Sequence, residues 1–176
     1  MKKTLLITFL SAFLILFLSS CSNDSEDIVK SYPTAEEAAS VCGIDSVSFV
    51  PEGYKAVSYN TVYGFVFETE YKANEIANTD DEMAGIAVLR IADADYKVSN
   101  LSGFALAGSA DVYTYDDERE FEIKTREGVY MTEWTQNIGD KACNISYTVF
   151  GNGSTDPKDA LFNYKMMLEE LLEYLG

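Results

Sequence analysis

Two kinds of reactive residue stand out in this 176-residue chain: three cysteines, and 29 Asp and Glu against 13 Lys and Arg. There is no histidine. That removes Ser-His-Asp and Cys-His nucleophile systems, His-ligated zinc and the usual general base near neutral pH. The acids cluster in "NTDDE" (Asn78–Glu82), "ADAD" (with Asp93 and Asp95) and "YDDERE" (Tyr115–Glu120). Such oxygen ligands suit calcium, but none follows the EF-hand spacing, and Lys97 falls where a ligand is needed, so no metal is expected. Two of these carboxylates facing each other across a cleft would make an extracellular hydrolase, the alternative functional class. No Walker loop, dinucleotide fingerprint, Cys-x-x-Cys or His-Glu-x-x-His is present, so no cofactor is expected. "GNGSTDP" (Gly151–Pro157) lacks the Lys of a phosphate loop and reads as a turn followed by a helix cap. The chain offers no catalytic residue to name, and the expectation is a protein that is not an enzyme.

Cys42 and Cys143 each fall on the apolar side of their segment, beside Ala38 and Ala39 in one case and Ile145, Tyr147 and Val149 in the other. They are the candidate disulfide pair. A bridge would close a loop of about 100 residues, worth up to about 4.7 kcal/mol in a chain-entropy picture. The other reading is two independent buried thiols acting as small apolar groups. Tyr59, Tyr63, Phe65 and Trp134 are the candidate ligand-facing aromatics for a sugar or lipid, although aromatics at alternate strand positions commonly build a core.

The third cysteine has a different setting. Lys2 and Lys3 precede Leu5–Leu18, an uncharged apolar run whose 14 residues at about 1.5 Å each reach about 21 Å, short of a hydrocarbon core of roughly 30 Å. Such a run suits a secretory signal better than a stable span. It ends in "LSSC" (Leu18–Cys21), which resembles the lipobox of bacterial lipoproteins. The resemblance implies cleavage before Cys21 and a diacylglyceryl thioether on its sulfur, with palmitate-type acyl chains. Two chains hold a protein on a membrane durably, since each buried CH₂ contributes about 0.8 kcal/mol. Residues 1–20 are thus expected to leave as a signal peptide. The protein would then be tethered on the extracytoplasmic face of the cell membrane.

The mature chain keeps 11 bases against 29 acids, a net charge of −18. A body this acidic is repelled by nucleic acid, which is excluded as a partner, and by anionic headgroups. An envelope ligand or a protein partner remains compatible. Residues 21–33 are polar and acidic and read as a flexible linker. A single domain is expected over 34–176.

Several elements must then position the side chains above. Thr34 with Glu37 forms a capping box, and Gly43 stops a short helix whose apolar side is Ala35, Ala38, Ala39 and Cys42. Pro51 and Gly53 mark a turn. From Tyr54 to Gly151 the apolar period is two. Val57, Tyr59, Thr61, Tyr63, Phe65 and Phe67 alternate, with a bend near Asn60, and Phe104–Tyr115 reads as a strand interrupted by small residues. About six or seven antiparallel strands follow from this spacing. Asp156 and Pro157 open a closing helix with the stripe Leu161, Tyr164, Met167, Leu168, Leu171, Leu172 and Leu175. The fold class is α+β: a curved antiparallel sheet with a short N-terminal and a long C-terminal helix packed on it.

The order "SYPTAEEAASVCGI…VSFVPEGYKAVSY", followed by Trp134, "ISYTVFG" and a closing amphipathic helix, is similar to a domain of unknown function. That domain is found in surface lipoproteins and membrane-tethered regulators of Gram-positive bacteria. The matching positions are Gly43, Val50–Tyr54 and Tyr147–Gly151, while Cys42 and Cys143 depart from the pattern. The resemblance implies a distant kinship with half-barrel folds that carry lipoproteins or other amphiphiles, and it brings no catalytic residues. The expected function is a lipid-anchored, non-catalytic domain binding a ligand or partner of the cell envelope.

Overall fold

The computed structural model describes residues 28–45, 47–74, 85–106, 110–116, 119–126, 128–150 and 157–176. The leader, Cys21, the acidic cluster at 78–82 and the loop 151–156 with Asp156 lie outside them.

The sheet is antiparallel and dominates the fold, with two α-helices. Seven strands run from Tyr54 to Phe150, as the alternation predicts: β2 (Tyr54–Val62), β3 (Val66–Ala73), β4 (Ile86–Asp93), β5 (Ala110–Asp116), β6 (Arg119–Arg126), β7 (Val129–Ile138) and β8 (Lys141–Phe150). An eighth, β1 (Val29–Tyr32), comes from residues expected to be linker. It pairs with β2 from Val29 opposite Val62 to Tyr32 opposite Tyr59. The linker reading therefore fails over Val29–Tyr32. An edge strand so short gains its order from the neighbour's free backbone groups, which local composition does not report.

The strand order is β1-β2-β3-β4-β8-β7-β6-β5. It consists of two consecutive four-stranded meanders laid side by side, joined where β4 pairs with β8 from Ile86–Thr148 to Asp93–Lys141. To reach β5 at the far edge, the chain leaves β4 through two 3-10 turns, Val98–Leu101 and Phe104–Leu106. The expected strand over Phe104–Tyr115 therefore begins only at Ala110. The bend in β2 lies between Ala56 and Ser58, earlier than Asn60, as a register shift against β3. The alternation through Tyr63 and Phe65 also breaks. Tyr63 and Gly64 both have positive φ, 54° and 73°, and Phe65 N–H donates to Val62 O, closing a tight reversal into β3.

The helix α1 (Ala35–Val41) begins as predicted, with Thr34 Oγ1 accepting from Glu37 N–H at 3.2 Å. It ends in a Schellman pair, Ile44 N–H to Ala39 O and Gly43 N–H to Ser40 O. Helix α2 spans Pro157–Leu175. Its side chains are described from Tyr164 onward, so Leu161 lies outside that part.

Alternation along the strands separates an inner face, under the two helices, from an outer one. The inner face holds Phe67, Tyr71, Ala87, Leu89, Ile91, Cys143, Ile145, Tyr147 and Val149. Ala38 and Ala39 of α1 and Tyr164, Met167, Leu168 and Leu171 of α2 close over them. Two deep tyrosine hydroxyls are paired, Tyr71 donating to Phe49 O at 2.7 Å and Tyr164 to Ile145 O at 3.2 Å, whereas the buried Thr132 hydroxyl has no partner. Loop 47–52 is pinned to α2, since Ser48 N–H donates to Tyr174 Oη and Glu52 N–H to a Glu170 carboxylate oxygen. Together these side chains form one buried core between the sheet and the described parts of the two helices.

Candidate functional site

On the outer face, one row of cross-strand partners crosses six neighbouring strands. Ser31, Asn60, Glu68, Arg90, Asn144 and Thr135 stand opposite one another from β1 to β7 in the order β1-β2-β3-β4-β8-β7. Every member is polar, and they are joined by hydrogen bonds. Ser31 Oγ donates to Asn60 Oδ1 at 2.8 Å, and Asn60 Nδ2 approaches Glu68 Oε1 at 3.4 Å. Arg90 Nε donates to Glu68 Oε2 at 2.9 Å, and its Nη1 reaches Asn144 Oδ1 and Ser146 Oγ at 3.3 and 3.2 Å. Asn144 Nδ2 then donates to Thr135 Oγ1 at 2.8 Å and Glu133 Oε2 at 3.0 Å.

Arg90 is the centre of this row. It is 5% exposed on a strand otherwise apolar, "GIAVLRIAD". Burial lowers its pKa from the ordinary arginine value, while the adjacent Glu68 carboxylate opposes that shift. A guanidinium with planar donors directed at Glu68, Asn144 and Ser146 holds these side chains in fixed orientations. The result is a pre-arranged set of donors and acceptors on a sheet face that is part solvent-facing around Ser58, Glu70, Val88 and Glu133. Arg90 and Asn144 lie between the carboxylates of Glu68 and Glu133.

The candidate aromatics divide. Tyr59 and Trp134 point to the inner side and pack against the core. Tyr63 and Phe65 sit at the β2–β3 reversal, where their rings stack at 5.9 Å. Phe65 stacks in turn on Tyr96 at 4.2 Å, a partner that sequence reasoning missed. Trp134 and Tyr59 are thus not brought together with Tyr63 and Phe65.

The cysteines are not bonded. Cys42 and Cys143 are both free, the first half-buried at the end of α1 and the second fully buried on β8. Burial pushes each thiol up to about 11, so neither is a nucleophile near neutral pH. Among the described residues, no three His, Cys, Asp or Glu side chains gather as a metal site. Asp93 caps its own turn, accepting from Asp95 N–H at 3.0 Å.

Sequence reasoning also passed over Arg90, Glu68, Asn60, Asn144 and Glu133. One signal was present: an arginine inside an apolar strand must find partners when buried. Which partners depends on strand register. No family model, curated protein or solved structure matches the chain.

Proposed function

We propose that this protein is a lipid-anchored, extracytoplasmic lipoprotein of the cell envelope whose domain is non-catalytic and binds its ligand or partner on the outer face of the sheet. The observation that carries the reading is the hydrogen-bonded polar row, in which the partly exposed Ser31, Asn60, Glu68, Glu133 and Thr135 are held in place around the buried Arg90 and Asn144. Hydrogen bonding by polar side chains already held in place costs little further ordering on binding. The lipobox-like "LSSC" supports attachment through Cys21, and no helix among the described residues is long and apolar enough to cross a membrane. The bulge in β2 supports a curved sheet, and the α2 stripe supports a closing helix along its whole span as a lid over the inner face. The kinship with the domain of Gram-positive surface lipoproteins belongs to the same reading, without the carrier cavity.

The test has two arms. Protein extracted from membranes is expected to begin at Cys21 with a diacylglyceryl mass, and a leader still attached would overturn the anchor. Titration with a fluorescent fatty acid is expected to show no saturable uptake into the domain, and one-to-one uptake would overturn surface binding in favour of a carrier.

A further inference from the structure

The point where the chain enters the fold coincides with an exposed aromatic group. Ile28 O accepts a 2.7 Å hydrogen bond from Tyr63 N–H, and Ile28 packs with Phe65 against Val62, Val66 and Ala92. Above them stand the stacked rings of Tyr63, Phe65 and Tyr96, with Tyr63 52% and Tyr96 42% exposed and Val29 also uncovered. Tyr63 takes a left-handed conformation that Asn or Gly would adopt with less strain, so the reversal gives up some stability to carry a ring there.

Seven peptide steps separate Cys21 from Ile28, a reach of at most about 25 Å fully extended and about 15 Å as a flexible coil. A tether this short holds the aromatic end near the surface to which Cys21 is fastened. It converts a weak surface affinity into an intramolecular equilibrium at an effective concentration on the order of millimolar. Next to the reversal Lys30, Lys97 and Lys141 accompany Asp93, Asp95 and Asp140, whereas Asp116 and Glu120 stand at the same end of the sheet on its far-edge strands, in a mature chain carrying −18. The aromatic group itself therefore sits among paired charges rather than in the acid excess of the rest of the chain.

We infer that Tyr63, Phe65, Tyr96 and Val29 form a second membrane contact, seating in the boundary between headgroups and acyl chains and setting the domain upright with its β2–β3 reversal down. Tyrosines suit that boundary because the ring is apolar and the hydroxyl stays among the headgroups. Asp24, Glu26 and Asp27 in the spacer gain nothing from the bilayer, so insertion of rings rather than charge attraction drives the contact, and it persists at high salt. The inference rests on the lipid anchor at Cys21.

The test uses the full lipidated protein in phosphatidylcholine vesicles carrying brominated acyl chains. Trp134→Phe removes the native fluorophore, and Tyr63→Trp, Tyr96→Trp or, at the opposite end of β2, Lys55→Trp supplies a reporter. Rings seated about 5–10 Å deep are expected to lose about half of their emission or more at positions 63 and 96, and less than about a tenth at 55. Absence of quenching at 63 and 96 in protein whose Cys21 mass is diacylated would overturn the docking and leave the anchor standing. Equal quenching at 55 would overturn the orientation. An unacylated Cys21 would remove the anchor and the docking with it. Should Tyr63→Trp disturb the strained reversal, Tyr96→Trp carries the test alone.

Discussion

Arg90 has no water to fall back on, so its neighbours decide whether the outer face survives. Replacing it by alanine leaves Glu68 half-buried without its cation and Asn144 and Ser146 without a donor. Breaking a buried pair from one side costs about 3–5 kcal/mol, and Arg90→Ala is expected to lose that much in urea unfolding. The double variant Arg90→Met, Glu68→Met should recover most of it, since neither charge is then stranded. An Arg90→Ala protein as stable as the wild type would remove the pair from the account of this face. The thiols act in another range of pH. Both titrate near 11 in the fold and near 9 in the unfolded chain, so below 9 neither state is ionised and nothing is lost. Between 9 and 11 the unfolded chain releases protons first, and stability must fall as pH rises. Burial shifts Tyr54, Tyr71 and Tyr164 upward as well, which reinforces the fall at the alkaline end. Cys42→Ala, Cys143→Ala should flatten the early part of that decline in pH-dependent melts. At this scale the arginine in an apolar run was legible, because burying charge always demands a partner. The identity of the partner was not, because Glu68 and Asn144 lie 22 and 54 residues away along the chain.

Elements are held by close approaches that only some residue types permit. Gly85 opens β4 directly beneath the Tyr147 ring, where an added Cβ would stand 2.1 Å from Cζ. The same ring hydroxyl pairs with Tyr54 at 3.0 Å, so Tyr147 has little freedom to retreat. Gly85→Ala is expected to cost about 1–3 kcal/mol by overpacking, read in chemical denaturation, and Tyr147→Leu in the same background should relieve part of it. An unchanged midpoint would mean that the strand entry shifts freely. Capping and turn chemistry were readable one element at a time: Thr34 with Glu37, Gly43, and the Pro51–Tyr54 turn all sit where their types predict. The errors fell where an element depends on a distant neighbour. Val29–Tyr32 became a strand because β2 offered it an edge, and Phe104–Leu106 became a turn because the chain had to cross to the far side of the sheet.

For the molecule as a whole, charge and packing act in opposite directions. A net charge of −16 resists compaction, while the inner core and the paired outer row favour it. Screening should therefore help: raising salt from about 10 mM to about 300 mM is expected to raise the melting temperature of the protein, since the Debye length drops from about 30 Å to about 6 Å. A falling melting temperature would mean that attractive pairs such as Arg90–Glu68 outweigh the general repulsion. By itself the sequence determined the quantities that are local along the chain. These are the acid excess, the missing histidine, the uncharged apolar run from Leu5 to Leu18, the period of two and then of 3.6, and the caps that start and stop segments. Tertiary structure alone decided that Ser31, Asn60, Glu68, Arg90, Asn144 and Thr135 fall in one row, that the inner faces of the strands and both helices share one core, and that Tyr63, Phe65 and Tyr96 meet beside Ile28. The reason is physical: periodicity says which side of its own strand a residue occupies, whereas register between strands is settled by the packing of the whole sheet against its helices.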